Sequence, residues 1–167
     1  PLDRSIFFLP ARQSQHRIVI ATIMEINQRL APSIPPVRCV DIIGRTSMCL
    51  EVDPFSGRCV CEYELPEDLK ESGRQDLRND ILSNILHVAE VISKARKLKI
   101  CPWSTARSAV RDADIVICDY NHFFIDDIRD RSLPAMNVEL EQSILIVDEA
   151  HSLPSRIRKG LERRLST

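Results

Sequence analysis

The chain has 167 residues, 44% of them hydrophobic and 28% charged, which is the make-up of one globular domain with room for an insertion. No apolar run approaches the ~20 residues needed to span a bilayer. The opening Pro1-Leu2-Asp3-Arg4-Ser5 has no signal-peptide design, so the sequence points to the cytoplasm of a prokaryote or archaeon, or to a eukaryotic nucleus, and not to secretion.

In chain order, Ser5 to Pro10 reads as a short buried strand. Residues 14–30 read as a helix capped by Ser14. The apolar stretch from Ile18 to Ile26 predicts that this helix is well buried. Pro32, Pro35 and Pro36 end it, and Val37 to Ile43 forms a second strand candidate with Cys39 packed inside. Residues 44–66 are irregular, with turn signals at Asp53-Pro54 and Ser56-Gly57. Pro66 and Gly73 would let residues 62–75 loop back. A single helix is then expected over 76–99, carrying the stripe Ile81, Ile85, Val88, Ile92 and Ala95; its ~24 residues would span about 36 Å. A further helix covers Trp103 to Ala113, and Ile115 to Cys118 is an aliphatic strand ending at Asp119. Tyr120 to Asp127 reads as a loop or short helix, with Tyr120 and His122 as turn and packing residues. Pro134 and Asn137 mark a turn, and helix formers resume after Leu153. The order strand, helix, strand, insertion, strand, connection, strand, helix is an α/β pattern with a parallel sheet.

The net charge of −1 hides a segregation. Residues 62–80 carry seven acids against three bases, whereas residues 94–111 carry six bases and no acid. The basic segment is either a solvated helix face or a track for phosphates. Six cysteines stand at 39, 49, 59, 61, 101 and 118. Without a secretory signal, clustered cysteines point to metal or catalysis more than to disulfides. Cys49, Cys59 and Cys61 lie in the irregular stretch 44–66, with Cys101 at the far end of the insertion; residues 44–66 hold few large apolar side chains, so a metal centre would supply the folding energy that burial cannot. Four thiolates serve an iron–sulfur cluster or a structural zinc equally well. The spacing of nine, one and thirty-nine intervening residues lacks the paired knuckles usual for zinc, and leans toward a cluster.

Ile144-Leu145-Ile146-Val147 runs without alternation into Asp148 and Glu149, the pattern of a strand buried on both faces of a parallel sheet. Ligands of such sheets bind beyond the carboxyl ends of the strands. Two carboxylates at that edge suit a hydrated Mg²⁺-nucleotide, one anchoring the metal and the other orienting or deprotonating the attacking water. They equally suit an acidic helix start.

Several segments together resemble XPD-like helicases. Cys101-Pro-Trp-Ser-Thr-Ala-Arg107 and Ala113-Asp-Ile-Val-Ile-Cys-Asp-Tyr-Asn-His-Phe-Phe124 resemble the stretch that follows the fourth cluster cysteine. Gly44-Arg-Thr-Ser-Met-Cys49 is similar to the approach to the first, Phe8-Leu-Pro-Ala-Arg-Gln-Ser-Gln15 is similar to motif Ia, and Asp148-Glu-Ala-His151 looks like motif II of superfamily-two helicases. The resemblance implies an incomplete RecA-like (P-loop NTPase) motor domain at 1–43 and 114–167, interrupted by a small, mostly helical iron–sulfur domain at 44–113. It implies a fragment of an ATP-dependent 5′-to-3′ DNA helicase of DNA repair or related transactions. A related bacterial cluster helicase of the DinG type differs only in biology. Cys49, Cys59, Cys61 and Cys101 would hold a 4Fe–4S cluster, Asp148 would hold Mg²⁺ through water, Glu149 would be the general base toward ATP, and His151 would couple nucleotide to DNA. Arg12, Ser14, Gln15 and Arg45 would touch DNA. The basic segment adds Lys97, Lys99 and Arg107, with Trp103 as a plate for base stacking. Single-stranded or forked DNA, the remaining helicase domains and repair-complex proteins would be the partners, with no membrane. The one-residue gap between Cys59 and Cys61, and Ser152 where the family often has Asn, depart from the pattern. No Gly-x-x-x-x-Gly-Lys-Ser/Thr loop is present. This stretch alone is therefore expected neither to hydrolyse ATP nor to unwind DNA. A zinc-binding nucleic-acid module with no motor is the alternative from another class.

Overall fold

The computed structural model describes residues 5–56, 60 and 66–165, with side chains through residue 162. Four parallel strands form one sheet: β1 (Ser5–Leu9), β2 (Cys39–Ile42), β3 (Ile115–Cys118) and β4 (Ser143–Val147), in the order β2-β3-β1-β4. Phe7 stands between Val116 and Leu145, and Phe8 between Ile117 and Ile146. The two-residue period of a strand therefore sorts the side chains into two faces. Phe7, Leu9, Val40, Ile42, Val116 and Cys118 enter the main core. Ile6, Phe8, Asp41, Cys39, Ile117, Ile144 and Ile146 share the other face by register.

Helix α1 (Gln13–Arg29) covers only part of that second face, through His16, Ile20 and Ile23. Its expected deep burial is not observed: Ile18 is 66% exposed, and Met24 and Ile26 are exposed as well. No described element packs on their side of the helix, so apolarity alone overstated the burial. The expected cap also moves. Arg12 is the N-cap residue and Ser14 lies inside the first turn, while the Gln15 side chain accepts the Arg12 backbone N–H at 2.9 Å. Strand β4 differs in the same way. Ile144 and Ile146 are exposed, so the strand is covered on one face and not on both. It is one of the two edge strands of the described sheet, and its outer face is partly open to solvent.

Between β2 and β3 lie α2 (Arg45–Met48), α3 (Glu67–Asn84), α4 (Val88–Leu98) and α5 (Pro102–Ala109), the last continued by a 3-10 turn, Val110–Asp112. The single helix expected over 76–99 is two helices. Gly73 lies within α3, so the reversal does not use it. The break falls at Ile85, which adopts φ 50°, a rare conformation for a β-branched residue. Packing accounts for it: Ile85 enters the cluster with Ile20, Ile23 and Ile117, whereas Leu86 and Val88 enter the main core. A continuous helix cannot send neighbours at that spacing to both. Met48, Leu77, Ile81, Val91, Ala95, Ile100, Ala106 and Val110 join the sheet residues in that core. Arg38 and Asp114, just before β2 and β3, close the segment at its base with hydrogen bonds of 2.8–3.2 Å. Burial opposes the Asp114 charge, but the bonds from Arg38 outweigh it and hold the carboxyl below its usual range.

After β3 come α6 (Asn121–Phe124) and α7 (Asp126–Met136), and after β4 comes α8 (Leu153–Leu165). The turn expected at Pro134 is displaced. Pro134 sits in the last turn of α7, and Asn137 ends the helix in the left-handed conformation, φ 56°. Phe7 meets Phe123 edge-to-face at 4.8 Å, which seats α6 on the sheet.

Candidate functional site

The site grows from the carboxyl end of β4. The Asp148 N–H donates to the Leu9 carbonyl at 3.0 Å, extending the β1–β4 ladder one residue beyond the strand. Asp148 is thereby fixed at the sheet edge next to the loop that opens α1. One carboxylate oxygen accepts the Glu149 N–H at 2.9 Å, and the other faces Gln15 Nε2 at 3.4 Å. Gln15 therefore holds the Arg12 backbone with its oxygen and faces Asp148 with its nitrogen. The chain segments around positions 12–15 and 148, far apart in sequence, meet here through one side chain.

Glu149 has φ 52°, the second strained non-glycine conformation that bears on the argument. The turn is held by Ser152, whose N–H and hydroxyl both donate to the Glu149 carbonyl, at 2.9 and 3.0 Å. Ser152 thus braces the turn with a backbone and a side-chain donor. The Glu149 carboxylate projects half-exposed and meets His151 Nδ1 at 3.3 Å, with the imidazole open to solvent. Beneath this turn, the buried Tyr120 hydroxyl donates to the Asp148 carbonyl. The Arg156 guanidinium from α8 lies 5.5 Å over the Tyr120 ring and donates to the Ala11 carbonyl. Sequence reasoning treated Tyr120 as packing and passed over Arg156. Neither carried a local signal, because their partners are backbone atoms distant in sequence.

The other sequence-selected residues fall on the inserted helices. Arg45, exposed, opens α2, and its carbonyl accepts the Cys49 N–H at 3.0 Å. The Cys49 thiol, half-buried, donates to the Glu51 carbonyl at 3.0 Å. Cys101, 8% exposed, is the N-cap of α5, and its sulfur accepts the Ser104 N–H at 3.4 Å. Cys59 and Cys61 lie outside the described residues. Among the described residues, no group of three or more His, Cys, Asp or Glu gathers as a metal site. Cys39 and Cys118 are fully buried in strands, and burial, reinforced by neighbouring carboxylates, pushes both thiols up. Lys97 and Lys99 are exposed at the end of α4, where Lys99 takes φ 54°. Arg107 stacks 5.0 Å over the half-buried Trp103 ring, a cation–aromatic pair on α5. The structure brings Gln15 to Asp148 and His151 to Glu149. Arg12 and Ser14 are exposed beside Gln15 at the start of α1.

No helix among the described residues is long and apolar enough to cross a membrane. The fold is shared with two solved XPD structures. A truncated XPD superposes with a TM-score of 0.55 at 18% identity, over 91% of this chain and 42% of that one. A second, an XPD helicase, gives 0.54 at 16% identity, over 91% of this chain and 25% of that one. In sequence, the ATP-dependent DNA helicase chl1 of Schizosaccharomyces pombe is 26% identical over 165 residues, covering 92% of this chain and 19% of that protein. The Fanconi anemia group J protein homolog of Gallus gallus is 32% identical over 74 residues, 44% of this chain and 6% of that protein. The chain thus spans a fifth or less of the length of these relatives. The profile of the DEAD_2 family matches residues 37–167, from just before β2 to the last residue, and the chain belongs to that family.

Proposed function

We propose that this chain is part of the first motor domain of an ATP-dependent DNA helicase and that its helical insert carries a 4Fe–4S cluster. The observation that carries the reading is the meeting of Gln15 with Asp148 at the carboxyl edge of a parallel sheet. A contact of this kind gives a nucleotide site a direct path to a DNA-contacting loop. The domain division follows: residues 1–43 and 114–167 form the motor, and 44–113 the cluster module. In the complete protein, Asp148 would hold Mg²⁺, which would neutralise phosphate charge, and Glu149, projecting from its strained turn, would serve as general base. His151, against the Glu149 carboxylate, relays nucleotide state toward DNA. Arg12, Ser14 and Gln15 at the start of α1, with Arg45, Lys97, Lys99, Trp103 and Arg107 on the insert, contact single-stranded or forked DNA, and the strand is followed 5′ to 3′.

The donor set suits the cluster. Cys101 caps a helix with its sulfur toward an N–H, and Cys49 stands one helical turn beyond Arg45; Cys59 and Cys61 complete the four thiolates. Such a centre would supply folding energy to the stretch 44–66, which has few large apolar side chains of its own. The protein acts where DNA is kept, in the nucleus of a eukaryote or the cytoplasm of a prokaryote, with the remaining helicase domains and repair-complex proteins as partners.

The test is made on the complete gene product. DNA-stimulated ATP hydrolysis and displacement of a strand from a 5′-tailed fork are expected, and Glu149→Gln should lower turnover by about 10²–10⁴. Iron and acid-labile sulfide should copurify. Stoichiometric zinc without ATPase activity would favour a metal-held binding module instead. The 167-residue chain by itself should not turn over ATP.

A further inference from the structure

The strand β2 is apolar except for Asp41, which is 1% exposed. A carboxylate so placed must be partnered, because an unpaired buried charge costs several kcal/mol. Its first partner is His16 on α1: Nδ1 donates to Oδ1 at 2.6 Å, and both side chains are fully buried. Its second is the Val88 N–H at the first turn of α4, which donates to Oδ2 at 2.8 Å. His87, the local cap of α4, stands 3.8 Å from the same oxygen. His16 Nε2 has no partner among the described residues, so this imidazole is directed to Asp41 alone.

Packing does not require these groups. Ile20, Ile23, Ile85 and Ile117 show that aliphatic side chains fill this region well. A charge-assisted hydrogen bond differs from an aliphatic contact in being directional. Asp41 also stands where both arms of the insert begin. Forward along the chain, β2 ends at Ile42 and leads through α2 to Cys49; across the hydrogen bond, α4 runs 11 residues and leads to Cys101. On the other side, His16 follows Gln15, the residue facing Asp148. We infer that His16 and Asp41 are positioning residues that lock the cluster-bearing insert to the first turn of α1. A shift of that turn, driven from Asp148 through Gln15, then reaches Cys49 and Cys101 as one movement. The inference rests on the helicase reading for its purpose, but the lock itself is a property of the fold.

Two measurements separate the lock from its purpose. In this chain, amide exchange at Val88 should accelerate about tenfold in His16→Leu, although residue 16 does not touch that amide. In His16→Asn, which keeps a donor where Nδ1 stands, exchange should stay within about threefold of wild type. Unchanged Val88 exchange in His16→Leu overturns the lock. If that variant does not fold, His16→Asn against His16→Gln, whose donor is displaced toward the Nε2 position, makes the same comparison. In the complete protein, His16→Leu should reduce base pairs opened per ATP about fivefold or more, and ATP turnover on single-stranded DNA by less than about twofold. Parallel losses of both, or no loss of either, overturn the proposed transmission. If the wild-type protein neither hydrolyses ATP nor opens DNA, the helicase reading falls instead, and Val88 exchange still decides the lock.

Discussion

Replacing Gln15 by Glu tests the junction between the α1 loop and Asp148 with the loss of one donor. The new carboxylate still accepts the Arg12 N–H, so the cap survives. What changes is the group facing Asp148, from an amide donor to a second negative charge at 3.4 Å. Two unit charges at that separation repel by about 1 kcal/mol at the dielectric of water and about 5 at an effective value of 20. Both residues are half-buried, which places the repulsion toward the lower bound, and the N-terminus of α1 returns roughly 0.5 kcal/mol to a carboxylate there. A net cost of about 1–2 kcal/mol follows, or a melting midpoint lowered by about 2–8 °C for a chain of this size. The pH dependence is the sharper signature. Repulsion in the folded state favours uptake of a proton by the pair above the ordinary carboxylate range near pH 4. Between that range and the raised value the folded variant binds more protons than the unfolded one, so its stability rises as pH falls. Thermal unfolding of this chain from pH 8 to pH 4.5 should show the deficit in full at the alkaline end and shrinking toward the acid end. Gln15→Met, which removes both bonds without adding charge, should cost about 1 kcal/mol at every pH. A Gln15→Glu deficit absent at pH 8, or constant down to pH 4.5, would refute the contact.

Gly73→Ala should stabilise the chain by up to about 1 kcal/mol in denaturant titrations, because glycine is costly inside α3 and the added methyl would meet Ile100 Cγ2 at an ordinary 3.4 Å. Burial lowers the affinity of His122 for a proton, and likewise that of His87. The unfolded chain then takes up protons first as pH falls below about 6.5, so stability should drop by at most about 1.4 kcal/mol per pH unit for each, and His122→Phe should remove its share in urea titrations at pH 7 and 5.5. Ile146→Lys, on the uncovered face of β4, should leave the unfolding of this chain within about 0.5 kcal/mol, yet cost about 2 kcal/mol or more in the complete protein if the sheet is covered there.

Much of the scaffold was legible because strands and acids declare themselves locally. Ile115 to Cys118 and Ile144 to Val147 are aliphatic runs with sharp ends, and both became strands of a parallel sheet. Asp148 and Glu149 stood at the expected edge because a strand's end is readable from its sequence. What failed was coverage. Ile18 and Ile146 are apolar in the sequence, but whether such a residue is buried depends on what packs over it, and no described element does so. The break at Ile85 was hidden for a related reason: its residues keep a helical spacing, and only the presence of two separate clusters forces the turn. Asp41 did carry a usable signal, since an acid inside an aliphatic strand demands a partner. Its partners, at positions 16 and 88, could not be named without the fold.

The segment from α2 to α5 leaves the sheet at β2 and re-enters it at the adjacent strand β3, with Arg38 and Asp114 clasped across the gap. It occupies the place where an ordinary α/β protein would have one crossover helix. Excising it would leave two neighbouring parallel strands with no bridge between them. An engineer wishing to transplant or trim this module must therefore graft a substitute linker that spans the same two strand ends.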